Sequence, residues 1–367
     1  MPITRTLLVA ATAAAVTAGL AAQAAPTPFK LGTFERAGRT FVGVVLREAV
    51  VIDLGAAHAA IRTPASTVAA PSDMKDLIVR YDAGVRGRIL EVIRVVESAG
   101  AARPAYVYDV KALKILPPIM YPMTMMNVAV NYREHDIEMA RIREGQPGQA
   151  PATAGAAPAG TVSAPGIWER AAGDARWNPF MFLKAQASII AEGEAILIPR
   201  GRTQIEWECE LGVVVGRTAR RVPVAQAADY IFGYTLENDI SDRGGRGDNR
   251  FGQDWLVAKS HDAFAPLGPF ITPKEFIRDV GALKITFALN GEVLQEGTTA
   301  QMIHTVAEQI AYGSNILTLR AGDVIATGTP PGVGSARTPP VLLKAGDRSV
   351  CTYEGVGTLT NPVAAAE

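Results

Sequence analysis

The sequence predicts an α+β fold that is mostly β, with a small α/β module at its N-terminal end. Three observations carry this expectation. The 367 residues include 35 glycines and 24 prolines, which divide the chain into many short elements. Short β-branched and apolar runs bounded by such residues recur, as at 41–45, 126–130 and 211–215. One stretch, residues 74–96, instead carries apolar positions at helical spacing: Leu77, Ile78, Ile89, Leu90, Ile93 and Val96.

In chain order, residues 1–24 read as a secretory signal peptide. Arg5 is its only basic side chain, residues 7–20 are apolar and uncharged, and Ala22-Gln23-Ala24 is the small-x-small pattern a signal peptidase accepts. The expected location is outside the cytoplasm, in a bacterial periplasm. The apolar run is shorter than the ~20 residues a spanning helix needs, so no stable membrane span is expected. The 36 basic and 36 acidic residues give zero formal net charge. That removes the general attraction on which nucleic-acid binding rests. Cys209 and Cys351 are too few for a disulfide framework, and the sequence leaves open whether they pair.

Residues 25–117 form the small module. Residues 41–45 and 49–54 read as strands, and 74–96 as a helix broken near Gly84 and Gly87. No catalytic pattern appears here, and His58 reads as a packing residue. Residues 118–367 form the larger domain, which opens with a buried-type strand at 126–130. It delivers the chain to Asn131-Tyr132-Arg133-Glu134-His135-Asp136-Ile137-Glu138. A helix starting there sets His135 and Glu138 on one face. A carboxylate beside an imidazole orients the ring and raises its basicity, as a general base requires. Alone, such a pair more often marks the exposed start of an amphipathic helix. Residues 144–166, rich in Ala, Pro, Gly, Thr and Ser, read as a flexible lid or insert.

The stretch Ile205-Glu206-Trp207-Glu208-Cys209-Glu210-Leu211, continuing to Gly216, reads as one strand. Alternation puts Glu206, Glu208 and Glu210 on one face and Trp207, Cys209 and Leu211 on a core face. A plain edge strand with a wet acidic face is the ordinary alternative. Asp239, in Glu237-Asn238-Asp239-Ile240-Ser241, adds a further carboxylate. Glu208, Glu210 and Asp239 together would make an all-oxygen site for Mg²⁺, Mn²⁺ or Ca²⁺. Lys184 ends the run at 179–184, where it can face an anionic substrate. Lys259 ends an apolar stretch, 255–258, read as a strand, and its burial calls for an anionic partner. Residues 266–269 read as a turn, Asn290-Gly291 as a hairpin turn, and 302–312 as a helix holding His304. The Thr327-Gly328-Thr329-Pro330-Pro331-Gly332 loop offers amides and the Thr329 hydroxyl to a carboxylate.

Taken together and in order, these motifs resemble the fumarylacetoacetate hydrolase family. The match covers roughly residues 126–362 and includes Glu208-x-Glu210-Leu211, Asn238-Asp239-Ile240-Ser241-Asp242-Arg243, Ala258-Lys259-Ser260 and Gly322-Asp323-Val324-Ile325. The resemblance implies a mixed β-sandwich roll and a homodimer. It also implies a divalent cation, Mg²⁺ or Mn²⁺, held by Glu208, Glu210 and Asp239. His135 and Glu138 match the family's lid pair, and Lys259 its oxyanion-stabilising lysine. Arg243 and Thr329 match substrate-contacting positions, to which we add Tyr132 and Lys184. Arg246 stands where the family has glutamine, and Glu206 where it often has aspartate.

The expected function is metal-dependent hydrolysis of a C–C bond in an acylpyruvate or fumarylacetoacetate-like diketo acid. Two neighbouring oxygens of such a small oxo acid can chelate the cation, which polarises the carbonyl and stabilises the enolate left by cleavage. His135 would deprotonate the attacking water. The same site type suits isomerisation or hydration of hydroxymuconate-type 2-oxo acids and decarboxylation of oxaloacetate. A non-catalytic periplasmic dicarboxylate binder would keep the three carboxylates but not need the His/Glu pair.

Overall fold

The computed structural model describes residues 26–63, 67–100, 102–144, 164–169, 171–244 and 252–366. The expected signal peptide, most of the 144–166 segment and Arg246 lie outside them.

The N-terminal module begins with a meander. Ala37 and Gly38, both at positive φ, fold β1 (Lys30–Arg36) back on β2 (Arg39–Leu46), and β3 (Val50–Asp53) follows. The Asp53 carboxylate accepts the Ala56 N–H at 3.0 Å and so caps α1 (Leu54–Ala60). Asp73 caps α2 (Met74–Arg80) in the same way through Asp76. The expected break falls at Gly84, with φ of 112°, where a side chain would be strained. The second half of the helix, α3 (Arg86–Ser98), runs straight through Gly87. Then β4 (Val107–Asp109) pairs with β3, and β5 (Lys114–Leu116) with β1.

The larger part of the chain continues with β6 (Met125–Ala129), α4 (Arg133–Glu144), β7 (Phe180–Leu183), β8 (Ile189–Ile190), β9 (Ile196–Ile198) and β10 (Ile205–Glu206). After these come β11 (Cys209–Val215), β12 (Ile231–Asn238), β13 (Ser241–Asp242), α5 (Trp255–Lys259) and β14 (Ala265–Pro273). The chain closes with β15 (Lys284–Leu289), β16 (Glu292–Thr298), α6 (Val306–Ile316), β17 (Val324–Ala326), β18 (Arg348–Tyr353) and β19 (Gly357–Ala365).

The fold is mostly β and its sheets are mixed, as expected. The large sheet runs β4-β3-β2-β1-β14-β12-β11-β17-β6-β7, with β5 on β1 and β8 on β14. The β17–β6 and β14–β8 pairs are parallel, and the remaining pairs of this sheet are antiparallel. The module therefore joins the larger domain through one continuous sheet, by the β1–β14 pair. A five-stranded sheet, β16-β15-β18-β19-β9, packs on one face of the large sheet. Leu211, Val213, Val215 and Leu236 from the large sheet meet Ile285, Phe287, Tyr353 and Leu359 there. The opposite face meets α2 and α3, where Val214 and Ile271 pack with Leu77, Ile89 and Ile93.

Four local expectations are corrected. Residues 205–216 are not one strand: the chain breaks at Trp207-Glu208, where the Glu208 N–H goes to Asn238 Oδ1 at 3.0 Å rather than into a ladder. Trp255–Lys259 is a short helix, since Asp254 accepts the Val257 N–H and starts it. Residues 266–269 lie inside β14, whose register against β12 shifts between Tyr234 and Leu236. His304 precedes α6, because Thr305 and Glu308 form a capping box that fixes the helix start after it. The Asn290-Gly291 hairpin turn is as expected, with both residues at positive φ.

Candidate metal centre

Period-two alternation along β11 builds the site. Cys209, Leu211, Val213 and Val215 all face the five-stranded sheet. The even positions face the other way. There Val214 packs with the helical module, and two registers on, past Gly212, comes Glu210. Glu237 lies directly across from Glu210 on β12. Asp239 follows two residues later, with its N–H bonded to Glu208 O at 2.8 Å.

The result is a buried carboxylate group. Glu208, Glu210 and Asp239 are 6%, 1% and 1% exposed, and one oxygen of each lies within 4.8 Å of the others. This excludes the wet edge strand. Lys259 Nζ donates to Glu208 at 2.7 Å, Asp239 at 2.6 Å and Ser241 Oγ at 2.6 Å. Lys184 pairs with the other Asp239 oxygen, and Arg243 bridges Glu206 and Glu208. Glu210 pairs with no cationic side chain among the described residues. Its Oε2 accepts the Gly328 N–H at 2.7 Å, presented by a glycine at φ of 90°.

These partners set the electrostatics. Burial alone would raise the Glu208 carboxyl, but Lys259 and then Arg243 outweigh it and hold the group at about 2. Burial, then the charges of Asp239, Glu237 and Glu208, push Glu210 well above the usual carboxylate range. Glu237 is pushed up to about 8 by burial and by Asp239. Among the described residues, five carboxyl groups (Glu206, Glu208, Glu210, Glu237 and Asp239) thus face three cations (Lys184, Arg243 and Lys259). Among these residues the site is short of two positive charges, and two of the carboxyls, Glu210 and Glu237, are pushed toward their neutral forms. One divalent cation among hard oxygen ligands supplies that charge, so the residues present fit Mg²⁺ or Mn²⁺.

His135, 3% exposed on α4, is among the groups that bear electrostatically on Glu208. Its Nδ1 meets Glu138 Oε2 at 2.8 Å, and the other Glu138 oxygen accepts the Gly332 N–H at 2.9 Å. The ring is therefore oriented from behind. Lys184, Arg243 and Lys259 form one hydrogen-bonded group with Glu208 and Asp239, while Glu210 stands beside them on the Gly328 N–H. Tyr132 and Thr329 stand differently. Tyr132 is fully buried in the core between the sheets, and the Thr329 hydroxyl donates to Cys209 O at 3.1 Å.

Sequence reasoning did not single out Glu237, Asn127 or Gln295. Asn127 Nδ2 donates to Glu237 Oε2 at 2.6 Å, across a floor made by Gly212 and Ala326. Alternation from Asp239 already placed Glu237 on the same face, so that signal was present. Asn127 and Gln295 come from distant strands, and nothing local marks them. Cys209 and Cys351 form a disulfide between β11 and β18.

A family model described as fumarylacetoacetate (FAA) hydrolase C-terminal matches residues 124–364. A mitochondrial oxaloacetate tautomerase of Xenopus laevis is 32% identical over 289 residues, 77% of this chain and 80% of its own length. The chain spans only 59% of the length of several other mitochondrial relatives that it matches. Among solved structures, a fumarylacetoacetate hydrolase of Exiguobacterium antarcticum is 27% identical with a TM-score of 0.66, over 92% of this chain and all of its own. A maleylpyruvate hydrolase of Sphingobium sp. SYK-6, solved with manganese(II) and pyruvate, shares the fold at 24% identity and a TM-score of 0.63, over the same shares.

Proposed function

The chain belongs to the fumarylacetoacetate hydrolase family, and from that premise we propose a divalent-metal-dependent enzyme acting on an enolisable 2-oxo acid. The reaction we favour is hydrolysis of a C–C bond in an acylpyruvate or fumarylacetoacetate-like diketo acid. The observation that carries this reading is the buried carboxylate group, short of two positive charges, beside an oriented His/Glu pair. Mg²⁺ or Mn²⁺ held by Glu208, Glu210 and Asp239 would polarise the substrate carbonyl and stabilise the enolate left by cleavage. His135 takes the proton of the attacking water, and Glu138 fixes the ring and offsets the charge the ring acquires. Lys259, held by Glu208, Asp239 and Ser241, would offset the negative charge that the carbonyl oxygen gains. Arg243 and Lys184 add positive potential for the acid's carboxylate.

A second reading, tautomerisation of oxaloacetate, is favoured by the name of the Xenopus relative. It needs the same cation and a base that moves a proton between carbon and oxygen, without a water attack. A panel of acylpyruvates, oxaloacetate and hydroxymuconates separates the two when products are analysed with and without chelator. Cleavage products that vanish on chelation support the first reading. Keto–enol exchange of oxaloacetate without cleavage of any diketo acid supports the second. A folded, Mn²⁺-loaded protein that binds dicarboxylates but turns over none of the panel points to the binder instead.

We further propose a homodimer and export to an oxidising compartment. The first is supported by Phe180, Leu183 and Leu256, exposed at 53%, 56% and 68% beside the edge strand β7. Among the described residues, no helix is long and apolar enough to cross a membrane. The second is supported by the Cys209–Cys351 disulfide. N-terminal sequencing of the protein from cell fractions tests it, and an intact Met1 in the cytoplasm would refute it.

A further inference from the structure

Among the described residues, β17 pairs with β11 only at 212–214, so the outward N–H and C=O of Cys209 face no neighbouring strand. That residue sits between two of the carboxylates proposed to hold the cation. Buried backbone groups need partners, and here side chains provide them. Gln295, on β16 of the facing sheet and 1% exposed, accepts the Cys209 N–H through Oε1 at 3.2 Å. Cys209 O accepts from the Thr329 hydroxyl at 3.1 Å and the Tyr353 hydroxyl at 3.3 Å.

The other end of the same amide holds the 328–332 loop. Gln295 Nε2 donates to Thr329 Oγ1 at 2.9 Å and to Pro330 O at 2.7 Å. The loop rides directly on β16: a Cβ built on Gly332 would fall 2.1 Å from Leu294 O. Two N–H groups of this loop do chemistry-bearing work. Gly328 donates to Glu210, and Gly332 donates to Glu138, the partner of His135. One side chain therefore fixes the backbone between Glu208 and Glu210, and also the loop that aims Glu210 and Glu138.

We propose that Gln295 is a positioning residue that sets the spacing between the cation-binding strand and the His135–Glu138 pair. The inference rests on the metal reading above. It does not require Gln295 to touch substrate or ion. Removing the amide would leave the carboxylates in place but let strand and loop drift apart. The effect should fall on cation affinity before it falls on folding, since partners of metal ligands typically carry about 10–100-fold in affinity.

The test is a Mn²⁺ titration followed by electron paramagnetic resonance on the full chain, well below its melting temperature. Wild type is compared with Gln295→Met, which keeps the volume and loses every hydrogen bond, and Gln295→Asn, which keeps the amide but is too short to span strand and loop. The expected result is a dissociation constant raised about 10-fold or more in both variants, with a changed Mn²⁺ line shape. Should Gln295→Met not fold, Gln295→Asn carries the test. A folded variant that binds Mn²⁺ with wild-type affinity and line shape overturns the proposal, whatever its melting temperature. If the wild-type protein itself binds no Mn²⁺, the metal reading has failed, and this inference falls with it for that separate reason.

Discussion

The helical module and the metal centre lie along the same face of β11, where Val214 packs on the module and Glu210 enters the carboxylate group, and they treat buried charge in opposite ways. In the module every buried charge is answered. Asp53 pairs with Arg39 and caps α1. Arg88 is met by Glu91 at 2.6 Å, Thr63 at 3.0 Å and Ile61 O at 2.6 Å. In the metal centre, among the described residues, the charges are left unbalanced, with carboxyls outnumbering cations and Glu210 without a cationic partner. Burying charge is costly unless it is paired. A region that leaves it unpaired is built to take a charged partner, and the region that pairs it is built to stay folded.

The largest effect that would break this contrast is expected from Glu208→Ala. It should remove measurable Mn²⁺ binding by calorimetry and reduce turnover by about 10³-fold or more. Retained binding would mean the carboxylates are a structural network. Next, His135→Ala should lower kcat by about 10²–10⁴-fold while Mn²⁺ affinity stays within about 2-fold, as expected for a base that is not a ligand. Equal metal loss in both variants would merge the two roles. The module provides the counterpart. Leu77→Ala should cost about 2–5 kcal/mol in denaturant unfolding and leave Mn²⁺ affinity unchanged. A metal effect there would show that the two regions are coupled.

The smallest effect sharpens the comparison with a half-buried carboxyl outside both regions. Glu192 is pushed up to about 7 by burial, against its bond from the Thr360 N–H and the charge of Arg348. Its folded form holds the proton more tightly than the unfolded chain does. The Glu192 contribution to stability therefore falls as pH rises from about 4.5 to 7 and is level above that. Glu192→Gln should match wild type near pH 4.5 and melt about 2 °C higher at pH 8. A gain that does not grow with pH would show that Glu192 is charged in the fold.

Much of this was legible from residues alone, and the reasons are specific. Alternation is a local rule, so it separated Trp207, now stacked on Phe287 at 4.9 Å, from the carboxylates on the other face. It failed to show the break at Trp207-Glu208, because that break depends on Asn238, thirty residues downstream. Capping decided two further cases. Asp254 turned an apolar run into a helix, and Thr305 with Glu308 moved a helix start past His304. In each, a short polar side chain outvoted the apolar pattern beside it. The sheet order, the Cys209–Cys351 bond and the role of Gln295 are long-range facts. No spacing rule along the chain encodes them.

The β1–β14 pair bears on how this protein can be cut. A fragment starting near Pro118 would keep every candidate catalytic side chain, yet it would strip β14 of a neighbour and bare the apolar side chains that α2 and α3 cover. Open edges and uncovered faces recruit other chains. Such a fragment would gather into insoluble aggregates rather than act as a trimmed enzyme, so the small module is a lid on stickiness as much as a domain.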